Sequence, residues 1–292
     1  MFAISSGNGQ IMSERLIEIE NRITTARQFS LIAAALRASA SLRCAEARMS
    51  EKRLHDYGQT IIRAVRIALA QTGGIEPPHA SATTPACLVI VLGAEQGFAG
   101  AFSEHVLTAA RPLLARPGAE LVVVGSRICA SARDLGLSPV LEVPMPLRAE
   151  QTSQAADDLL NRLSNLMGQK ADGEIYLVHA RSGEGPSINL HQFRLLPVDL
   201  SSFEAMQSPI EPLLLSPPGE ILDSLLKELI FIQICEAMVA SLAAENGTRM
   251  RAMSVTQSRV GDMLDTLVAK ARQTRQDEIT HDVVDMASAS LR

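Results

Sequence analysis

The 292 residues contain no Trp, two Tyr and seven Phe, so aromatics make up only 3% of the chain. That scarcity argues against an aromatic core and against a surface that stacks nucleic-acid bases. It favours long helices packed on small residues. No apolar stretch approaches the ~18 residues that a membrane-spanning helix requires. The N-terminus lacks a basic start followed by an apolar run, so it does not read as a secretory signal. Residues 1–11 read as an irregular leader, with Met12 as the expected start of regular structure. Four cysteines, Cys44, Cys87, Cys129 and Cys235, are scattered without any CxxC pair. They read as small buried hydrophobes of a reducing compartment. Six histidines show no HExxH or paired-ligand spacing, and neither a metal nor another cofactor is expected.

Proline is absent after Pro218. Beyond it, apolar and small residues recur every three or four positions: Leu222, Leu225, Leu229, Ile232, Val239, Ala243, Met250, Met253, Val260, Leu264, Leu267 and Ala271. A repeat near 3.5 keeps one seam facing a partner helix. At ~1.5 Å per residue, an unbroken helix from 217 to 289 would run about 100 Å and project from a compact domain. Glu236, Asn246 and Gln257 interrupt the seam with polar groups, which fix register at some cost in stability.

Glycine and proline are also missing between Met12 and Tyr57, which predicts a second helical block over 12–70. Ser13 is its expected cap, and Leu16, Ile19, Ile23, Ala26, Leu31, Ala35 and Ala40 are its expected inward residues. Gly58 is a mild interruption, and 71–85 reads as a linker carrying Gly73-Gly74 and Pro77-Pro78. The two blocks are expected to pair as an antiparallel coiled coil.

From Cys87 the texture changes. CLVIVLG over 87–93 and ELVVVG over 120–125 are short β-branched apolar runs, the pattern of strands buried on both faces. Helices over 103–115, 126–135 and 150–168 alternate with them. A short strand over 139–143, another over 174–180 and an alternating edge strand over 187–198 complete the set. The resulting fold class is a Rossmann-like α/β domain, about 85–210, inserted between helical blocks 12–70 and 217–289.

Gly93-Ala94-Glu95-Gln96-Gly97-Phe98-Ala99-Gly100 follows the first strand and invites a nucleotide-binding reading. Neither G-x-G-x-x-G nor GxxxxGK[ST] is present, and Glu95 would repel phosphate. A tight strand-to-helix turn explains the glycines as well. Ser103, Glu104 and His105 are neighbours, but adjacency makes no triad. No catalytic site emerges.

Charge is partitioned unevenly. Residues 22–53 carry a net +5 and 249–275 a net +4, in a chain of net −5. A positive surface on the helical blocks suits an acidic partner. Without interleaved aromatics, nucleic acid is not expected.

Five motifs fall in a consistent order. They are Leu16-Ile17-Glu18-Ile19 with Arg22-Ile23, Gly97-Phe98-Ala99-Gly100-Ala101-Phe102, Thr248-Arg249-Met250-Arg251-Ala252-Met253, Arg275-Gln276-Asp277-Glu278-Ile279-Thr280, and the ending Asp282, Val283, Asp285. They resemble the L-x-E-I-x-x-R-I, G-L-C-G-G-F, A-R-M-x-A-M, R-Q-x-x-I-T and acid–aliphatic–x–acid patterns of the γ subunit of rotary F-type ATP synthases. The chain departs from that family at Ala94-Glu95-Gln96, where S-D-R is usual, and at Arg272, where Asn is usual.

The resemblance implies a rotor shaft with no chemistry of its own. It implies a coiled coil inside a ring of α and β subunits, and an α/β domain beside the ε subunit and on the c ring. Ion flow through the c ring would then be coupled to ATP synthesis or hydrolysis on the α/β ring. It further implies ring contacts at Arg249, Arg275, Gln276, Thr280 and Leu36, and a peripheral position on the cytoplasmic face of a bacterial inner membrane. The competing expectations are an enzyme with a degenerate dinucleotide fold, which predicts a ligand near Gly97, and an unrelated coiled-coil scaffold.

Overall fold

A computed structural model describes residues 5–72, 87–167, 173–183, 187–203 and 216–290. Its order is α1 (Ser5–Gln71), β1 (Cys87–Leu92), α2 (Phe102–Leu114), β2 (Ala119–Val124), α3 (Ser126–Asp134), β3 (Leu141–Val143), α4 (Thr152–Met167), β4 (Glu174–Ser182), β5 (Ile188–Leu196) and α5 (Pro218–Ser290). Most of the expected linker, 71–85, lies outside the described residues. The chain divides into two compact units, a smaller one of Met1–Ser39 with Met250–Arg292 and a larger one of Ala40–Arg249.

The larger unit is built on a five-stranded sheet ordered β3-β2-β1-β4-β5. The first four strands are parallel and β5 returns antiparallel to β4, so the sheet is mixed. All six residues of β1 are buried. Leu88, Ile90 and Leu92 face one core, with Ala156, Leu159 and Leu163 of α4 and Ile234, Met238 and Leu242 of α5. Val89 and Val91 face the other, with Phe102, Val106 and Leu107 of α2 and Ile128 of α3. This is why the strand reads as an unbroken apolar run rather than an alternating one. Each such side chain, fully buried, contributes ~1.5–3 kcal/mol.

Within this unit α1 and α5 run antiparallel. Cys44 Sγ donates to the Ala243 carbonyl at 3.4 Å and Tyr57 Oη to Glu228 Oε1 at 3.0 Å. A third cluster, Ile61, Val65, Ala68 and Leu69 with Leu222 and Leu229, continues the seam. Gly58 does not interrupt α1. A Cβ there would lie 3.1 Å from Glu236 Oε1 and 3.3 Å from Ile232 Cγ2, so glycine permits the close approach of the two helices.

In the smaller unit the buried positions of α1 among the described residues are Ile19, Ile23, Ala26 and Ala33, and those of α5 include Met253 and Val260. Three expectations fail here. Ser13 lies inside α1 rather than capping it, since no proline stops the helix between Ser5 and Met12. Leu31 is 71% exposed and Ala35 is exposed too; Ser30 and Ala33 take their places. The strict 4-3 alternation that runs through Ile19, Ile23, Ala26, Ser30 and Ala33 never slips to reach Leu31. Close approach of the two helices selects the small residue over its larger apolar neighbour.

Candidate functional site: loop clamp and exposed helical surface

Two sets of residues hold charges in specific places. The first lies in the larger unit, at the carboxyl end of β1, where the strand order reverses between β1 and β4. In doubly wound sheets this is where ligands bind. Gly125 (φ 122°) brings α3 so close to the β1–α2 loop that a Cβ would sit 2.8 Å from the Ala94 carbonyl. Glu95 then reaches the start of α3, accepting from Ser126 N–H at 2.9 Å, Ser126 Oγ at 2.6 Å and Met145 N–H at 2.8 Å. A carboxylate of the chain itself thus occupies the helix N-terminus that would otherwise receive a phosphate. That geometry argues against the nucleotide reading of the loop.

The next two residues are held from the other side. Arg249 of α5 is 4% exposed and donates from Nε to the Gly97 carbonyl and from Nη2 to the Gln96 carbonyl, each at 3.0 Å. Nη1 donates to Asn246 Oδ1 at 3.0 Å, and Nη2 also pairs with Glu245. Burial pushes the Glu245 carboxyl above its ordinary range, opposed mainly by the Arg249 guanidinium. On the opposite helix, Arg43 Nη1 donates to Gln96 Oε1 at 3.1 Å. The clamped loop presents Phe98, exposed and at φ 65°, a conformation that bulky residues rarely adopt. Asn246, a polar break in the seam when read from sequence, is a member of this network.

The sequence places Arg249 at a partner surface; the structure turns it inward. Its guanidinium is consumed by two loop carbonyls, an amide and a carboxylate. Arg275, Gln276 and Thr280 lie elsewhere, in the smaller unit, and all three are exposed. Arg275 Nη2 reaches Glu20 Oε1 at 2.7 Å, with side chains 60% and 49% exposed, a pair worth only ~0–1 kcal/mol. Thr280 Oγ1 donates to the Gln276 carbonyl at 2.9 Å. Leu36 is half-buried. The same unit also exposes ten large apolar side chains, among them Phe29, Leu31, Ile32, Val255, Val284 and Met286. Their number on two helices leaves much apolar surface available to a partner.

Sequence reasoning missed this apolar surface and the Glu95 and Glu245 contacts. The first was visible in principle, as apolar residues that do not fit the seam. The second depends on chain segments that only the fold brings together.

Among the described residues no helix is long and apolar enough to cross a membrane. The smaller unit exposes large apolar side chains, and the larger carries a doubly wound sheet in which Glu95 takes the α3 N-terminus; together these features suit a protein-binding chain. The comparisons agree. The family described as ATP synthase matches residues 15–290, and the chain belongs to it, as an F-type γ-subunit member. An ATP synthase gamma chain from Solibacter usitatus is 26% identical, over 94% of this chain and 98% of its own. One from Acidiphilium cryptum is 27% identical, over 93% and 97%. The rotor of Euglena gracilis mitochondrial ATP synthase shares the fold with a TM-score of 0.59 at 15% identity, over 94% of this chain and 99% of that one. The Tetrahymena thermophila mitochondrial central stalk and c-ring structure aligns with a TM-score of 0.51 at 17% identity, over 77% and 98%.

Proposed function

We propose that this chain is the central shaft of a rotary ATP synthase, with the two-helix unit as the part that turns inside a ring of α and β subunits. The observation that carries the reading is that this unit exposes large apolar side chains as well as Arg275, Gln276 and Thr280. An apolar face that must slide past a changing partner cannot be locked by many specific bonds. A few polar contacts on one side then give it direction.

The sheet-bearing part takes up the c ring and the ε subunit, and the assembly sits on the cytoplasmic face of a bacterial inner membrane. The working division is 12–70 and 217–289 for the shaft helices and 85–210 for the α/β domain. Arg275 is the stronger ring contact, because its planar fork can pair a carboxylate bidentately. Leu36 supplies apolar contact. Arg249 acts from within, by holding the β1–α2 loop on α5.

The test is ATP-driven ion pumping and complex yield in Arg275→Ala/Gln276→Ala. Both are expected to fall severely, with Arg275→Lys in between. Wild-type values for the double variant would sink the assignment.

A further inference from the structure

In a chain with seven Phe, two Tyr and no Trp, an aromatic side chain left in solvent is unusual, because aromatics bury more apolar area than other residues. Phe98 is such a side chain, 62% exposed in the β1–α2 loop.

Its backbone sharpens the point. Phe98 has φ 65° and is the one non-glycine with a positive φ among the described residues. A bulky residue is strained there, and such strain persists only where the surroundings impose it. Glycine would make the same turn without strain. The phenyl group is therefore held outward against the local preference.

The loop clamp imposes this conformation. Arg249 donates to the carbonyls of Gln96 and Gly97, the two residues before Phe98. Arg43 holds the Gln96 side chain from α1 at 3.1 Å. On the far side, Ala99 is buried in the same core as Phe102 and Val106 of α2. Phe98 is thus fixed from both directions, and little is left to order when it meets a partner.

Charge and position indicate the partner. Phe98 borders a hollow of about 340 Å³ together with Ser103, Glu104 and Arg127. Glu104 accepts from Ser131 Oγ at 3.3 Å, and Glu95 accepts from Ser126 and Met145. These acids are answered within the chain, whereas Arg127 is exposed and open to an outside carboxylate. Arg249, which sets the loop, is the last residue of the larger unit before α5 continues into the smaller one. That places the loop next, along the chain, to the helices assigned to the α/β ring.

We infer that Phe98 is a preformed anchor for an apolar pocket on a subunit of the α/β ring, with Arg127 pairing a carboxylate at the pocket's rim. Buried aromatic anchors dominate protein interfaces, and rim charges mainly steer the encounter. The assignment rests on the shaft reading.

The experiment titrates the full chain onto an isolated ring of α and β subunits and follows urea unfolding of each variant alone. Phe98→Gly removes the anchor and suits the positive φ, so its unfolding midpoint should stay the same or rise. Its affinity for the ring should nevertheless fall by roughly tenfold or more. Phe98→Leu keeps an apolar anchor and should recover most of that affinity. Arg127→Ala should slow association at low salt and flatten its salt dependence. Wild-type affinity in Phe98→Gly overturns the proposal. So does a joint loss of stability and affinity, which would make Phe98 structural, or a defect confined to binding the c ring or the ε subunit. A wild-type chain that does not bind the α/β ring at all sinks the shaft reading itself, and the anchor with it.

Discussion

The two units spend their apolar residues differently. In the larger unit the sheet sends side chains into cores on both faces, and β1 exposes none of its six residues. Among the described residues, ten large apolar side chains are exposed in the smaller unit, more than the eight of its much larger neighbour. Its seam is narrow, with alanine at positions 26 and 33, and its outer face is left to meet something else. A unit that stabilises itself hides its apolar surface; one that serves as a bearing keeps it.

The sealed state of the larger unit depends most on the loop clamp. Arg249→Ala leaves Glu245 buried without its cation, and breaking a buried pair in this way costs roughly 3–5 kcal/mol. Urea unfolding should show that loss. A change below about 1 kcal/mol would mean the clamp is solvated and the larger unit is not sealed there.

Cys235 probes the same seal. Burial pushes its thiol up to about 12, so it stays neutral in the fold well above the ordinary range. Because the unfolded thiol ionises near pH ~8.5, this group's contribution to stability is intact below that pH and declines as pH rises above it. Alkylation at about pH 9, just above the ordinary thiol range, should modify Cys235 only after unfolding, as read by mass spectrometry. Rapid labelling of the native chain would show that α5 opens over the sheet.

Ile32 and Val284 test the other side. Ile32→Lys with Val284→Lys should shift the unfolding midpoint little, within the roughly ±0.5 kcal/mol typical of surface changes. The same variant should reduce self-association of the isolated chain in sedimentation. A large stability loss would place those residues in a core.

The smallest effect is expected at Glu20→Gln. Its pair with Arg275 is exposed, so stability should change by no more than ~1 kcal/mol. If Glu20 competes with an outside carboxylate for Arg275, the substitution should leave complex assembly intact or improve it.

The plan of the fold was legible in the sequence because its signals are periodic and local. Six apolar residues in a row announced β1, and the lack of proline after Pro218 announced α5. The exposed placement of Arg275, Gln276 and Thr280 follows from the same helical spacing. The seam of α1 was legible only in part. Periodicity fixes a 3.5-residue repeat, but size misled the choice between Leu31 and Ala33, because close helix packing favours the smaller residue.

What the sequence could not show is any pairing across distance. Glu95 meets Ser126 and Met145, Arg249 meets Gln96 and Gly97, and His179 meets His191 because strand order and register bring them together. The sequence by itself determined which segments become helices and strands, since backbone propensity and apolar period act within a few residues. Tertiary structure alone decided which charges are buried, which carboxylate takes the α3 N-terminus and which histidines face each other. Those outcomes depend on desolvation and contact between segments far apart in the chain.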